Sequence, residues 1–312
     1  MPADFNAKLS LPTSGFRVSL RRVPELKTCL ELLKPVTWFA PIWAFLCGVV
    51  SSGERFALHW PLIVAGLLLA GPMVCGTSQA VNDWFDRHVD AINEPNRPIP
   101  SGRMPGRWGF YIGIIWTGAS LLLAATLGVW GFSAAVVALL LAWAYSAPPL
   151  RLKRNGWWGN AAVAICYEGV PWFTGAAVMT SALPNPHILL IALLYSLGAH
   201  GIMTLNDFKS IEGDLQVGIR SLPAMLGAAR AALLACGVML APQILVILAM
   251  LLWHHPATAV VVTLLAVVQI FLMVELLDRP RERAIWYNAT GTTLYVIGML
   301  VCAFALAQGA AA

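Results

Sequence analysis

Charged side chains are scarce in this 312-residue chain: Asp, Glu, Lys and Arg make up 11%, against about a quarter in an ordinary soluble domain. Hydrophobic residues make up 59%, and the mean hydropathy is +0.73. This composition excludes a disordered protein and argues against a water-soluble globule. Apolar stretches of membrane-spanning length recur along the chain, so the sequence predicts an all-α integral membrane bundle.

Cysteine is also scarce, and the six cysteines never approach CxxC spacing. This pattern argues against a disulfide framework or a zinc site, and we interpret the cysteines as small core residues. No cleavable apolar stretch precedes the basic residues of the first 35 positions, so no signal peptide is predicted. We predict a basic cytoplasmic arm over 1–35, in contact with anionic lipid, and a single transmembrane domain over 36–312.

Hydropathy predicts nine spans, several of them with loose ends. The predicted spans are 36–53, 58–82, 107–127, 132–146, 158–180, 187–206, 222–253, 256–277 and 284–309. With the N-terminus in the cytoplasm, Arg55 is the one residue among the 20 Lys and Arg that falls on the opposite side. This asymmetry satisfies the positive-inside rule and supports the nine-span count. We therefore attribute the net charge of +5 to the basic residues that orient the chain in the membrane, and we predict no nucleic acid partner.

Two similar acidic clusters follow the second and sixth predicted spans. The first contains Asn82, Asp83, Asp86 and Asp90, and the second contains Asn206, Asp207, Ser210 and Asp214. Both fit the pattern N-D-x-x-[DS]-x-x-x-D. Because both follow even-numbered spans, both helices end on the same side of the membrane. The sequence thus predicts a parallel internal repeat of four helices.

The spacing of the first cluster places residues 82, 86 and 90 on one helix face if the helix continues. Carboxylates so close repel one another unless a divalent cation neutralises them, and the negative end of the helix dipole adds to that attraction. Oxygen donors without accompanying His or Cys indicate Mg²⁺. We predict that the Asn and Asp residues of both clusters bind metal and that the five Asp residues are catalytic. The alternative is that these residues are ordinary solvated acids at the membrane surface. The presence of a second, similar cluster argues against that alternative.

Ser210 replaces an Asp in the second cluster, which predicts weaker metal binding there or compensation by Asp207 and Glu212. Basic residues in the neighbouring loops complete a clamp for a diphosphate. They are Arg97, Lys153, Lys209 and Arg220. The alternative for each of them is a positive charge that only orients the protein in the membrane. Arg97 and Lys153 are the preferred diphosphate-binding residues, because their loops look ordered.

Three residues within the predicted spans have their own interpretations. Tyr145 precedes a Ser-Ala-Pro-Pro break, and its ring is predicted to stabilise a carbocation on a prenyl chain held in the bundle. Glu168 is an acid well inside a span, where a functional or hydrogen-bonded role is expected. His200 is interpreted as a hydrogen-bonded group between helices, in preference to an axial ligand of a metal-containing pigment.

Three long motifs resemble those of the UbiA superfamily of intramembrane prenyltransferases. Residues 82–102, NDWFDRHVDAINEPNRPIPSG, contain its first acidic motif, N-x3-D-x3-D. Residues 145–160, YSAPPLRLKRNGWWGN, and 206–223, NDFKSIEGDLQVGIRSLP, look like its chlorophyll and bacteriochlorophyll synthase branch. The run from Cys75 to Arg103 favours the bacteriochlorophyll side of that branch.

The resemblance implies Mg²⁺-dependent esterification of the propionate of bacteriochlorophyllide a by geranylgeranyl or phytyl diphosphate. It also implies an active site facing the cytoplasm of a bacterial inner membrane, and pigment-biosynthesis proteins as partners. Chlorophyllide a is an alternative acceptor, and a quinone or haem prenyltransferase is an alternative within the superfamily. A secondary transporter is the alternative from another class, but the paired acids lie at helix ends and not at the midplane.

Overall fold

The structure is a computed structural model that describes residues 23–310, so residues 1–22 of the predicted basic arm lie outside the described part. Within that part the regular elements are helices, apart from a single β-bridge between Asn155 and Arg220. The α-helices are α1 (Leu26–Leu33), α2 (Phe39–Ser51), α3 (Phe56–Leu68), α4 (Gly76–Asn93), α5 (Trp108–Ala125), α6 (Gly128–Ser146), α7 (Gly156–Ala164), α8 (Val170–Thr180), α9 (Pro186–Asn206), α10 (Ile211–Val217), α11 (Leu222–Leu226), α12 (Ala228–Leu252), α13 (Pro256–Asp278) and α14 (Pro280–Ala310). The predicted all-α class is confirmed.

Eight helical segments between residues 23 and 310 are long and apolar enough to cross a membrane. They are Phe56–Ile92, Trp108–Ala125, Gly128–Ser146, Gly156–Thr180, Pro186–Gln216, Ala228–Leu252, Pro256–Asp278 and Pro280–Gln308. The first predicted span, 36–53, corresponds to Pro35–Ser51, which forms a bent pair with α1 at an angle of 40°. The number of candidate spans is therefore eight, or nine when this pair is included.

Two helix boundaries differ from the hydropathy prediction. The fourth predicted span, 132–146, begins at Gly128, whose φ of 74° permits a tight reversal after α5. The resulting α6 has 19 residues, and its length fits a membrane span. The second predicted span, 58–82, continues as helix to Asn93. Hydropathy could not show this extension, because the last turns of α4 are polar.

Two π-helical turns interrupt the spans, at Leu69–Cys75 and at Ile165–Gly169. Such widened turns are rare and are found at functional sites. The two turns meet, since the Cys75 Sγ lies 3.6 Å from the Tyr167 hydroxyl. Gln79 donates a second hydrogen bond to the same hydroxyl at 3.1 Å. The turns thus bring polar groups into the interior of the bundle.

The core is centred on aromatic residues packed among α2, α8, α9 and α14. Trp172 and Tyr195 are fully buried and stack with ring centroids 5.9 Å apart. Tyr295 meets Tyr195 edge to face at 5.1 Å and donates a hydrogen bond to its carbonyl. The Trp172 indole donates to the Ser51 hydroxyl at 3.0 Å. Each polar tip therefore has a partner inside an otherwise apolar core.

Backbone contact between α2 and α8 depends on two glycines. A Cβ atom at Gly48 would lie 2.0 Å from the Trp172 carbonyl oxygen, and one at Gly175 would lie 2.1 Å from the Phe45 carbonyl oxygen. Neither carbonyl can move without shifting its helix. These two positions accordingly require glycine for close packing.

Replacing Gly175 with alanine is expected to lower stability by about 1–3 kcal/mol, because the added methyl group forces α2 and α8 apart. Gly118→Ala is the matched control, since nothing lies within 4 Å of the Cβ position at Gly118. Helix propensity favours alanine by about 1 kcal/mol at both sites, so only the steric term separates them. Thermal unfolding in detergent measures the difference, and equal melting temperatures for both variants would contradict the packing argument.

Candidate functional site

The first acidic cluster forms one face of α4, as its spacing predicts. The Asn82 amide donates a hydrogen bond to the Asp86 carboxylate at 3.1 Å, one helical turn away. Asp83 is fully buried and Asp90 is 6% exposed. Three carboxylates are thus gathered on the last three turns of a helix that ends an apolar span.

Two basic residues contact Asp83 and Asp90. The Lys34 ammonium lies 2.6 Å from Asp83, and the Arg97 guanidinium lies 3.4 Å from Asp83 and 2.8 Å from Asp90. A turn of backbone hydrogen bonds fixes Arg97, whose amide donates to Glu94 and whose carbonyl accepts from Ser101. The loop predicted to be ordered therefore holds Arg97 against the acidic face.

Two further basic residues contact Asp86. The Arg151 guanidinium lies 3.2 Å from one carboxylate oxygen, and the Lys153 ammonium lies 2.5 Å from the other. Lys153 is only 8% exposed. Burial lowers the pKa of the Lys153 ammonium, and the charge of Asp86 opposes part of that shift. The short turn Leu152–Arg154 presents Lys153 to the carboxylate.

The second acidic cluster has a different backbone. α9 ends at Asn206, a 3₁₀ turn covers Asp207–Ser210, and α10 begins at Ile211. The Ser210 hydroxyl donates to Asp214 at 3.1 Å, and the Asn160 amide donates to Asp207 at 3.2 Å. Within residues 23–310, no Lys or Arg lies within ion-pair distance of Asp207 or Asp214.

One short segment of chain joins the two clusters. Lys153 contacts Asp86, and Asn160 contacts Asp207. Between them, a Cβ atom at Gly159 would lie 3.0 Å from the Cα of Lys153, so the start of α7 packs directly on the lysine turn. The two clusters therefore lie at the same end of the bundle, on either side of this segment.

Tyr145 lies between the clusters at the end of α6. It is within electrostatic range of Asp86, Asp207 and Asp214. The Lys153 ammonium lies 5.9 Å from the centre of its ring. The tyrosine predicted to contact a prenyl carbocation is thus beside the acidic groups.

Some predicted residues do not contact the carboxylates directly. The Lys209 and Arg220 side chains are exposed and form no ion pair with a described residue, and Lys209 is within electrostatic range of Asp207. Glu212 pairs with Arg281 of α14 at 2.9 Å, and its compensation for Ser210 stays a prediction. Asn206 is exposed and accepts a hydrogen bond from Asn288.

Sequence reasoning did not assign three residues that contact the acids: Lys34, Arg151 and Asn160. Lys34 belongs to the basic arm predicted over 1–35. Arg151 and Asn160 belong to the 145–160 motif, and their presence in that motif was the available signal.

The intramembrane Glu168 and His200 do not join the acidic site. Glu168 is 4% exposed, and one of its oxygens has no hydrogen-bond partner in the part of the chain that the structure describes. The His200 Nε2 lies 3.2 Å from the Trp157 carbonyl oxygen, as the preferred interpretation of a hydrogen-bonded histidine predicts.

The donor set of the two clusters fits Mg²⁺ bound together with a diphosphate. Among residues 23–310, no three His, Cys, Asp or Glu side chains converge as ligands of one ion. Mg²⁺ needs only one or two carboxylates when water and phosphate oxygens complete its octahedron. One oxygen of the fully buried Asp83 has no hydrogen-bond partner among the described residues. Carboxylate and amide oxygens are the donors that this ion prefers.

Comparisons with known proteins agree with this geometry. The sequence profile of the UbiA prenyltransferase family matches residues 39–297. The bacteriochlorophyll synthase 33 kDa chain of Cereibacter sphaeroides is 59% identical over 286 residues, which cover 92% of this chain and 95% of the relative. The chloroplastic chlorophyll synthase of Oryza sativa subsp. japonica is 37% identical over 298 residues, which cover 89% of this chain and 76% of that relative.

The fold is shared with a UbiA homolog from Archaeoglobus fulgidus whose structure was solved bound to GPP and Mg²⁺. The TM-score is 0.71 at 19% sequence identity, and the match covers 90% of this chain and 99% of that one. The superfamily indicated by the motifs is confirmed by profile, relatives and fold. The chain belongs to the UbiA prenyltransferase family.

Proposed function

We propose that this prenyltransferase esterifies the propionate of bacteriochlorophyllide a with geranylgeranyl or phytyl diphosphate, forming bacteriochlorophyll a and diphosphate. The main observation in favour of this proposal is that one short segment contacts both acidic clusters at the same end of the bundle. Lys153 contacts Asp86, and Asn160 contacts Asp207. The bacteriochlorophyll synthase chain at 59% identity supports the choice of acceptor.

The oxygens of both clusters would hold Mg²⁺, which would supply positive charge opposite the departing diphosphate. The proposed ligands in the first cluster are Asn82, Asp83, Asp86 and Asp90, and those in the second are Asn206, Asp207 and Asp214. Ser210 serves as a positioning residue, because its hydroxyl bonds to Asp214. The five Asp residues are proposed as catalytic because their carboxylates would hold the Mg²⁺ against the diphosphate.

The basic side chains that contact the first cluster in the structure are proposed to hold the diphosphate. Lys34, Arg97, Arg151 and Lys153 surround the three carboxylates of α4. Arg and Lys donate strong charge-assisted hydrogen bonds to phosphate oxygens. Lys209 and Arg220 add positive charge beside the second cluster at the rim of the site.

The reaction balances without a strong base. The bond between the first prenyl carbon and the diphosphate oxygen breaks, and its electron pair leaves with the diphosphate. A propionate oxygen, already ionised at neutral pH, then forms the ester bond to that carbon. Tyr145 presents its ring to the developing carbocation, and the apolar bundle shields the chain from water.

The topology proposed from the sequence also supports this reaction. Nine spans with a cytoplasmic N-terminus place both acidic clusters in the cytoplasm of a bacterial inner membrane. The clusters then belong to the two halves of a parallel four-helix repeat. Residues 1–35 form the basic arm on anionic lipid, and 36–312 form one domain. Pigment-biosynthesis proteins are the proposed partners.

Asp86→Asn and Asp207→Asn are each expected to lower kcat by about 10²–10³-fold, because each removes a carboxylate that would hold Mg²⁺ against the leaving diphosphate. Asp278→Asn is the control, since Asp278 is exposed and its ion pair within residues 23–310 is with its neighbour Arg279. Single-turnover ester formation with excess Mg²⁺ measures the effect. Wild-type rates in both site variants, with the membrane fold intact, would refute the assignment.

Lys34→Met is expected to reduce kcat/KM for the prenyl diphosphate by about 10–100-fold, because one charge-assisted contact to the diphosphate is lost. Lys34→Arg should recover most of this loss, whereas Arg279→Gln should behave as wild type because Arg279 is exposed at the end of α13. Inhibition by inorganic diphosphate gives an independent readout. An unchanged inhibition constant in Lys34→Met would remove Lys34 from the site.

Substrate identity is tested by supplying purified enzyme with bacteriochlorophyllide a or chlorophyllide a, each with geranylgeranyl or phytyl diphosphate, with Mg²⁺ or EDTA. We expect ester formation from bacteriochlorophyllide only with Mg²⁺. Parallel incubation with 4-hydroxybenzoate tests the quinone alternative. Product formation in detergent, where no gradient exists, argues against a transporter, and a lack of any pigment ester would overturn the proposal.

A further inference from the structure

A groove opens on the outer surface of the bundle between α7, α9 and α12. It has a volume of about 480 Å³. Its lining includes Trp157, Trp158, Leu197, His200, Val238 and Ala241. The same groove continues along α12 past Gly237 and Leu233 to Arg230, since Val238 and Ala241 line both parts. We call it the outer groove.

The outer groove has a shape and a surface suited to a flat ring. The groove is open above Gly237, because no atom of the described residues lies within 4 Å of the Cβ position there. Its wall carries two indoles, Trp158 at 67% exposure and Trp157 at 46% exposure. The Trp157 ring lies beside the His200 ring, with centroids 5.7 Å apart and an angle of 33° between the planes, so Trp158 is the indole available for stacking. Indole faces stack on flat conjugated systems and gain more from them than aliphatic side chains do.

His200 is arranged as histidine ligands of metals are. A carbonyl oxygen can only accept, so the contact from Nε2 to the Trp157 carbonyl places the proton on Nε2. The lone pair then remains on Nδ1. Metal-binding histidines characteristically donate their other ring N–H to a carbonyl or carboxylate, which fixes the tautomer. His200 also lines the groove.

Arg230 supplies an unpaired positive charge at one end of the groove. It is exposed and forms no ion pair or hydrogen bond with any residue from 23 to 310 that the structure describes. It lies in the first turn of α12, and α12 begins where the chain returns from the second acidic cluster. The charge is therefore at the same end of the bundle as the acidic site.

We infer that the outer groove binds the pigment acceptor, a magnesium tetrapyrrole carrying a free carboxylate, before it reaches the reaction site. The macrocycle stacks on Trp158, its magnesium takes Nδ1 of His200 as axial ligand, and its propionate pairs with Arg230. Trp157 supports the imidazole, because its carbonyl contacts Nε2 and its ring lies beside the imidazole ring. This inference rests on the proposed function for the identity of the acceptor. It explains why an imidazole, an exposed indole and a lone guanidinium share one apolar groove.

The outer groove is separate from the reaction site. Asn160 on α7 contacts Asp207 inside the bundle, whereas Trp157 and Trp158 at the start of the same helix line the outside. Lys153, which contacts Asp86, precedes them by a few residues. The groove therefore holds the pigment one helix away from the place where the ester forms.

The test measures pigment binding to the full chain in detergent, using bacteriochlorophyllide a and its magnesium-free counterpart. Absorption reports the coordination number of the magnesium, and quenching of tryptophan emission reports occupancy. His200→Leu should weaken binding of the magnesium pigment by about tenfold or more and abolish the coordination change. The same variant should leave binding of the magnesium-free pigment unchanged, because that pigment has no axial ligand.

Two more variants separate the remaining contacts. Arg230→Gln should weaken binding of both pigments by about tenfold, and it should weaken binding of the esterified product much less, since the product has no free carboxylate. Trp158→Leu should weaken binding of both pigments and reduce quenching. The matched controls are Arg279→Gln and Trp60→Leu, which change an exposed guanidinium and an exposed indole outside the groove.

Three results would overturn the inference. Wild-type binding in all three groove variants would exclude the pigment from this surface. A phospholipid that copurifies with the wild type and is lost from Arg230→Gln, with pigment binding unchanged, would make the groove a lipid site. Conversion of a dimer to a monomer by Trp158→Leu would make it a contact between copies of the chain.

Failure of the inference and failure of the proposed function give different results. If the groove variants bind pigment normally while wild-type protein forms the ester, only the groove assignment is wrong. If wild-type protein binds pigment in the groove but forms no ester with any prenyl diphosphate, the proposed reaction is wrong and the binding site stands.

Discussion

The rest of the site depends on three carboxylates of like charge that lie close together at the end of the apolar bundle. Asp83 is fully buried, and Asp86 and Asp90 lie on the same helix within two turns of it. Burial makes their repulsion stronger than it would be in water. Four basic side chains offset this repulsion by pairing with the carboxylates. They come from the N-terminal segment, the loop after α4 and the turn before α7.

The two acidic clusters solve the same problem by different means. The first keeps its carboxylates on a continuous helix and surrounds them with Lys and Arg. The second breaks its helix at Asn206 and satisfies its acids with neutral donors, Asn160 and Ser210. Positive charge is therefore concentrated on one side of the proposed diphosphate position, and neutral hydrogen bonding on the other.

Periodicity and charge predicted the helical class, most span positions and the first acidic stripe, because these depend on local sequence. The break after Asn206 could not be predicted, since both clusters share one residue pattern. The contacts of Lys34 and Arg151 also escaped prediction: Lys34 is far from Asp83 in sequence, and its place in a basic arm made topology a sufficient explanation. The roles of Lys209 and Arg220 stay predictions, because their side chains are exposed and sequence proximity to the second cluster does not fix the direction of a long side chain.

The glycine contact between α2 and α8 limits the routes by which a long hydrocarbon chain can reach the interior. With Gly48 and Gly175 allowing carbonyl oxygens to touch the opposite backbone, this seam has no side-chain layer that could rotate aside. A twenty-carbon tail cannot pass sideways through two backbones in contact. A chain that enters sideways would therefore use an interhelical boundary other than the seam at Gly48 and Gly175.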